Sequence, residues 1–191
     1  MKAIIEKNIN DSIEAKRKLL TPERVAAIEQ AARKMIAALS VGKKIIVCGN
    51  GGSAADAEHF VGELVGRLHF DRKPLPAIAL TSNAPVITAL SNDYGYDELF
   101  SRQVEAHAQN GDIVVGISTS GNSPNVLKAL RKGKEKGALT VALCGEGGEM
   151  RTAADICISV PSKLNVRIQE CHTLIIHTLC HLIEECMFGK K

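Results

Sequence analysis

Two residues that could bind a metal ion or move a proton, His59 and Glu63, follow a glycine-rich corner at residues 49–53. Residues four positions apart lie on one face of a helix, separated by about 6 Å of rise. An imidazole and a carboxylate placed in this way can share one divalent ion, or one can bind while the other transfers a proton. The corner could hold a polar ligand against the same helix.

Further imidazole and amide donors occur near the end of the chain, in a segment of helical character. Gln169 and His177 are eight positions apart, which is about 12 Å of rise and roughly 80° of rotation on an ideal helix. They reach one ion only if it lies axially between them or if two subunits share the site. His172 and His181 lie in the same segment, and His177 and His181 form a rival pair four positions apart. Spacing alone does not decide which of these histidines binds the ion.

A second polar loop has the composition of a phosphate site. Residues 118–124 read Ser-Thr-Ser-Gly-Asn-Ser-Pro and lie between an apolar run and a helical segment. Ser123 as N-cap and Pro124 at the first helical position predict a helix start. Four hydroxyl groups and the N–H groups of a helix start suit a phosphate monoester, although the loop has no lysine or arginine. The alternative is a capped turn with spare hydroxyl groups, and the strand-to-helix position favours phosphate.

The glycine-rich corner also fits the dinucleotide pattern G-x-G-x-x-A at residues 49–54. That pattern requires an acidic residue at the end of the second strand to bind the ribose. Here the corresponding residues, 80–82, are Leu-Thr-Ser, so a nicotinamide cofactor is disfavoured. A nucleotide-binding P-loop is excluded because no Gly-Lys-Ser/Thr is present.

Short apolar runs rich in β-branched residues predict the strands that position these loops. They span residues 44–48, 77–80, 113–117, 140–143 and 156–160. Their alternation with helical segments predicts a parallel sheet with helices on both faces and ligands at the carboxyl ends of the strands. Two helices, at residues 2–20 and 22–39, form an N-terminal arm whose apolar stripe needs a partner. A long helix is predicted at residues 165–187.

The bulk composition limits the function classes. A length of 191 residues and 45% hydrophobic content predict one domain, residues 1–191, with residues 1–40 as the arm. The formal charge of only +3, on scattered basic residues, argues against nucleic acid and membrane partners. Six cysteines without a CxxC pair, and no signal-peptide core, indicate reduced thiols in a cytoplasmic protein.

Taken in order along the chain, these motifs resemble the phosphoheptose isomerase family of sugar isomerase (SIS) domain proteins. The matching segments are residues 48–53, the helix of His59 and Glu63, and residues 91–95, 116–123 and 167–170. The resemblance implies an α/β fold, a three-layer αβα sandwich with a five-stranded parallel sheet. Such a sheet is flavodoxin-like or Rossmann-like, and here it would follow the helical arm.

The resemblance also implies an activity and a site. The activity would be conversion of sedoheptulose 7-phosphate to D-glycero-D-manno-heptose 7-phosphate through an enediolate, the first step towards ADP-heptose or GDP-heptose. One zinc ion per subunit and a homotetramer are implied. The zinc ligands would be His59, Glu63, Gln169 and His177, with Glu63 and His177 also the acid–base pair. The implied substrate contacts are Asn50, Gly51, Gly52, Ser53, Glu63, Asn92, Asp93, Ser118, Thr119, Ser120, Ser123 and Gln169.

Two other functions stay open at this point. One is a non-catalytic SIS protein, since a close relative of the family binds the bacterial replication initiator. The full set of four zinc-ligand candidates argues against it, because a binding module has no need of them. The other is isomerisation of a different sugar phosphate, since the sequence does not report the depth of the pocket.

Overall fold

A five-stranded parallel sheet forms the middle of the computed structural model, which describes residues 1–69 and 71–189. The strand order is β2-β1-β3-β4-β5, and every neighbouring pair is parallel. The strands are β1 Ile45–Gly49, β2 Ala77–Ala79, β3 Ile113–Ser118, β4 Leu139–Gly145 and β5 Ile156–Val160. Each of the five lies on a run that the sequence predicted as a strand, so the predicted parallel sheet is confirmed.

Helices connect the strands in the predicted alternating order. They are α1 Lys2–Arg17, α2 Pro22–Ser40, α3 Gly52–Val65, α4 Ala84–Tyr94, α5 Leu99–His107, α6 Pro124–Glu135, α7 Met150–Ala153 and α8 Asn165–Phe188. Thr21 accepts a hydrogen bond from the N–H of Arg24 and caps α2, as its position before Pro22 predicted. Within residues 1–69 and 71–189, no helix has the length and apolarity needed to cross a bilayer.

The sheet divides the apolar core into two layers. Alternate strand residues face opposite sides. Ile45 and Val47 belong to the cluster with α2, α3 and α8, whereas Ile46 and Cys48 belong to the cluster with α5 and α6. Because both faces are covered, the strands need continuous apolar sequence, and this is the pattern observed. The three-layer αβα sandwich is therefore confirmed.

The two helices of the predicted arm differ in how much of their apolar surface is covered. Met35, on α2, is fully buried in the cluster that contains α8. On α1, Ala15 is buried, but a stripe of isoleucines is exposed, formed by Ile4, Ile5, Ile9 and Ile13. The stripe on α1 is thus uncovered by the described residues of this chain.

All six cysteines are free thiols, as the sequence predicted. Five of them lie at buried or half-buried positions, and Cys186 is exposed. Burial raises the pKa of the Cys48 and Cys180 thiols to about 12, so both stay protonated and unreactive near neutral pH.

Candidate active site

Helices α3 and α8 bring three of the predicted metal donors together. The Nε2 atoms of His59 and His177 are 2.7 Å apart, and Nε2 of His59 lies 3.7 Å from Oε1 of Glu63. One ligand atom of each side chain lies within 4.8 Å of the other two. The side chain of His59 is 42% exposed and that of Glu63 is 19% exposed, so the cluster is open to solvent on one side. One chain is therefore sufficient to assemble the cluster.

The cluster has donor atoms and separations that could hold a divalent metal ion. Zinc binds imidazole nitrogen and carboxylate oxygen at about 2.0–2.2 Å, so two ligand atoms of a tetrahedral ion are about 3.3–3.6 Å apart. The observed separations of 2.7 Å and 3.7 Å lie on either side of this range. Two imidazole nitrogens so close must share a proton or direct their lone pairs at a common cation. These residues fit a divalent ion with only small shifts.

Gln169, the fourth predicted ligand, packs against the start of α3. A Cβ atom at Gly52 would lie 2.5 Å from Nε2 of Gln169, so glycine is needed for this close approach. One turn further along both helices, Thr173 donates a hydrogen bond to Asp56, and the histidine pair follows. The two helices run in the same direction along this contact, so each turn of α3 meets the corresponding turn of α8. Gln169 and His177, eight positions apart on α8, therefore line one groove.

The two rival histidines lie outside this cluster. His172 is fully buried, and its ring lies beside the backbone of Cys144 at the end of β4. His181 stacks edge-on against His69, with ring centroids 4.7 Å apart, and its Nε2 is 3.5 Å from Oε1 of Glu185. His172, His177 and His181 point in different directions around α8, and of these three only His177 faces α3.

His172 should make the free energy of unfolding depend on pH. Burial lowers its pKa to about 4, although the Cys144 backbone opposes the shift. The unfolded chain then binds this proton more readily than the folded chain, because an unperturbed histidine has a pKa of about 6.5. Stability is therefore complete above pH of about 6.5, and about 3 kcal/mol is lost as pH falls towards 4.

Urea unfolding measured between pH 7 and 4.5 tests this expectation. The variant His172→Leu cannot titrate, so its unfolding free energy should fall less steeply than that of the unsubstituted chain. His107→Leu removes an exposed histidine and serves as the matched control, with an unchanged slope. Equal slopes for all three proteins would show that the buried imidazole is not responsible.

The serine loop lies at the carboxyl end of β3, where the sequence predicted it. Oγ of Ser118 is 2.8 Å from Oγ of Ser123 and 3.3 Å from Oγ of Ser120, so three hydroxyl groups form one cluster. Ser123 is the N-cap residue of α6, but its hydroxyl makes no cap hydrogen bond because it is paired with Ser118. The carbonyl of Thr119 accepts from the N–H of Gly145, which ties the loop to β4.

The glycine-rich corner is joined to the serine loop by an amide pair that the sequence analysis missed. Asn50 and Asn125 exchange two side-chain hydrogen bonds of 2.9 Å, and the hydroxyl of Tyr96 donates to Oδ1 of Asn50 at 2.9 Å. The neighbouring Gly51 has a φ of +55°, which favours glycine. Asn125 directly follows the predicted phosphate loop, and this position in the sequence could have identified it as a site residue.

In the part of the chain that the structure describes, Ser53, Asn92 and Asp93 form no hydrogen bond with the metal donors. Ser53 is buried in the first turn of α3. Asn92 and Asp93 lie on the last turn of α4, are exposed, and form a side-chain hydrogen bond of 2.8 Å with each other. Among the described residues, Tyr96 links the segment after α4 to the corner, through Asn50.

Asp56 is a further buried residue of the groove that the sequence analysis passed over. It is 8% exposed, and burial raises the pKa of its carboxyl while the Thr173 hydroxyl opposes the shift. Residues 56, 59 and 63 are spaced by three and four, so the helical periodicity that selected His59 and Glu63 also points to this aspartate.

Comparison with known proteins agrees with this fold. Residues 9–145 match the SIS domain family, which makes the chain a sugar isomerase domain protein. It is 50% identical over 193 residues to the phosphoheptose isomerase of Aneurinibacillus thermoaerophilus, covering 100% of this chain and 98% of the relative. It is 54% identical over 172 residues to that of Citrifermentans bemidjiense, covering 90% of each chain.

A solved structure gives the same assignment. The phosphoheptose isomerase of Neisseria gonorrhoeae superposes with a TM-score of 0.91 at 40% sequence identity, covering 96% of this chain and 98% of that chain. The chain belongs to the phosphoheptose isomerase family.

Proposed function

We propose that this chain isomerises sedoheptulose 7-phosphate to D-glycero-D-manno-heptose 7-phosphate. The observation that carries the proposal is the meeting of His59, Glu63 and His177 in one groove between two distant helices. The names of the full-length relatives support the substrate. The reaction would be the first step towards ADP-heptose or GDP-heptose, precursors of heptose-bearing polymers such as lipopolysaccharide.

The proton transfers are assigned to Glu63 and His177. The Glu63 carboxylate removes the proton from carbon one of the ketose, the electron pair forms the enediolate, and a proton is then delivered to carbon two. The imidazole of His177 moves the second proton between the two oxygens. Because ligand atoms of the two side chains lie within 4.8 Å of each other, they can serve adjacent carbon and oxygen atoms of one sugar.

Phosphate recognition is assigned to the serine loop. The hydroxyl groups of Ser118, Ser120 and Ser123 already converge, and Thr119 lies between them in the chain. The N-terminus of α6 adds N–H groups and the positive end of the helix dipole. The remaining substrate contacts are proposed for Asn50, Gly51, Gly52, Ser53, Glu63, Asn92, Asp93 and Gln169.

Incubation of the purified chain with sedoheptulose 7-phosphate in deuterium oxide tests this function. We expect an aldoheptose 7-phosphate that carries deuterium at carbon two, because the enediolate is protonated there from exchangeable groups. Ribulose 5-phosphate and fructose 6-phosphate are the comparison substrates. Faster conversion of either would favour an isomerase of another sugar phosphate, and no conversion of any would favour a non-catalytic binding protein.

We also propose one zinc ion per subunit, bound by His59, Glu63, Gln169 and His177. Bound zinc would polarise the carbonyl group and stabilise negative charge on the enediolate oxygens. The two roles of Glu63 compete, since ligation favours the ionised, less basic carboxylate. A Glu63 carboxylate that binds the ion only weakly can serve both as a ligand and as the base.

Metal removal tests the zinc proposal. Elemental analysis should find about one zinc per chain, and chelation should lower turnover at least about a hundredfold, because such polarisation contributes several kcal/mol. Adding zinc back should restore turnover. Magnesium is the matched control and should not restore it, because it prefers oxygen ligands in octahedral geometry. Full activity in metal-free protein would reduce the ion to a structural or accidental one.

The uncovered stripe on α1 supports a homotetramer. Besides the exposed isoleucines of α1, the chain has an apolar groove between the end of α1, α2 and α8. The groove has a volume of about 430 Å³, and its lining residues include Leu19, Leu20, Val25, Leu174 and Leu182. We propose that residues 1–40 are an arm of the single SIS domain, covered by neighbouring subunits in the cytoplasm. Light scattering gives the subunit number that tests this.

A further inference from the structure

A buried carboxylate lies in the interface between the two helices that carry the metal donors. Oδ1 of Asp56 accepts a hydrogen bond of 2.9 Å from Oγ1 of Thr173, and this bond joins α3 to α8. Oδ2 of Asp56 is buried and has no hydrogen-bond partner among the described residues. A buried polar atom without a partner is costly and rare in folded proteins, so its presence calls for a function.

The Asp56–Thr173 bond occupies the middle of three contact layers along the groove. The layers are Gly52 with Gln169, Asp56 with Thr173, and His59 with His177. The outer two layers contain three of the four predicted metal ligands, and Glu63 follows one turn later on α3. A tie in the middle layer fixes the rotation and axial offset of α3 against α8, which set the spacing of those ligands.

Thr173 uses its single hydroxyl proton for this tie. Its Oγ1 is also 3.3 Å from the carbonyl of Gln169, one turn earlier on the same helix, but the contact with Asp56 is shorter by several tenths of an ångström. A hydrogen bond to a carboxylate is about twice as strong as one between neutral groups. The hydroxyl is therefore committed to the neighbouring helix.

The carboxylate also adds negative charge close to the cluster. Asp56 is three residues before His59 on the same helix face, and the two side chains interact electrostatically. A partly desolvated carboxylate attracts a cation more strongly than an exposed one, because screening by water is weaker. An aliphatic side chain would fill this space without the cost of desolvation, so packing does not explain the aspartate.

We propose that Asp56 and Thr173 are positioning residues for the metal site, which set the spacing of the donors on α3 and α8 before an ion binds. This inference rests on the proposed metal-dependent function. Neither residue is assigned a contact with the substrate. Partners of this kind, which orient ligands without binding the ion, typically change metal affinity by ten- to a hundredfold when removed.

The zinc dissociation constant of the purified full-length chain, measured by competition with a chromophoric chelator, tests the inference. Thr173→Val keeps the β-branched shape and removes the hydrogen bond, and Asp56→Ala removes both bond and charge. We expect zinc binding about ten- to a hundredfold weaker in both variants. Thr173→Ser keeps the hydroxyl and should bind zinc as the unsubstituted chain does.

Two controls separate positioning from general destabilisation. Thr178→Val alters another threonine of α8, whose hydroxyl donates only to the carbonyl of Leu174 in the described residues, and it should leave zinc affinity unchanged. Val104→Ala creates a cavity on the opposite face of the sheet and lowers thermal stability without touching the groove. Its zinc affinity should also be unchanged. These controls keep the test valid if Asp56→Ala is poorly folded.

The outcomes distinguish this inference from the function on which it rests. Thr173→Val binding zinc as tightly as Thr178→Val overturns the inference, even if Asp56→Ala is weakened. Equal losses in Thr173→Val and Val104→Ala also overturn it, because the effect would then follow stability. Absence of zinc binding in the unsubstituted chain overturns the metal proposal itself.

Discussion

Replacing Glu63 by glutamine is expected to lower turnover of sedoheptulose 7-phosphate by about a hundred- to ten-thousandfold, the usual contribution of a general base. The amide has nearly the same volume but cannot accept the proton of carbon one. Binding of the sugar phosphate should persist, because the serine loop lies after β3 and is separate from α3. Steady-state kinetics give the turnover number, and isothermal titration calorimetry gives the dissociation constant.

Two further variants make the Glu63 result specific. Glu58→Gln changes an exposed glutamate on the same helix and should leave turnover within about twofold, as expected for a surface substitution. Glu63→Asp keeps a carboxylate but withdraws it from the cluster, and should fall between the two. Because Glu63 is also a proposed zinc ligand, zinc content is measured for each protein. Near-normal turnover in Glu63→Gln at full zinc content would exclude this residue as the base.

The sequence was sufficient to predict the sheet and several residues of the candidate site. The strand runs are continuously apolar and β-branched because helices cover both faces of a parallel sheet, and this signal is local. The pair His59 and Glu63 was visible for the same reason, since helical periodicity places positions four apart on one face. The serine loop was predicted from its place between a strand and a helix.

The rest of the site depends on tertiary packing that no local pattern reports. Choosing His177 by spacing requires the rotation of α8 against α3, which is set by the whole core. The amide pair of Asn50 and Asn125 joins the glycine-rich corner to the first turn of α6, 75 positions further along the chain. The tie between Asp56 and Thr173 spans 117 positions. Local patterns point to Asp56 and Asn125, but they do not report the distant partner of either residue.

A buried ion pair holds the segment that follows α3 against α8. Nε of Arg72 is 2.8 Å from Oε1 of Glu184, and the two side chains are 1% and 0% exposed. Glu184 also accepts hydrogen bonds from the N–H groups of residues 68–69. Arg72 donates to the backbone carbonyls of Glu63 and Leu64, the end of the helix that carries the proposed base.

The variant Glu184→Gln is expected to lower the free energy of unfolding by about 3–5 kcal/mol. The guanidinium of Arg72 would keep its charge at a buried position, and removing one partner of a buried pair typically costs this much. Guanidinium chloride unfolding at one fixed subunit concentration measures the loss, since association of subunits also affects stability. Glu135→Gln breaks a surface pair between an exposed glutamate and the half-buried Lys132 and is the control, with an expected change below about 1 kcal/mol.

The stability of a variant that lacks both charges is expected to set this ion pair apart from most buried pairs. Replacing such a pair by apolar residues is often neutral or stabilising, because the cost of desolvating two charges disappears. Here the double variant Arg72→Leu and Glu184→Leu also leaves backbone N–H and carbonyl groups without partners, at about 1–3 kcal/mol for each buried group. It should therefore stay destabilised by several kcal/mol. Recovery of full stability in the double variant would show that these backbone contacts contribute little.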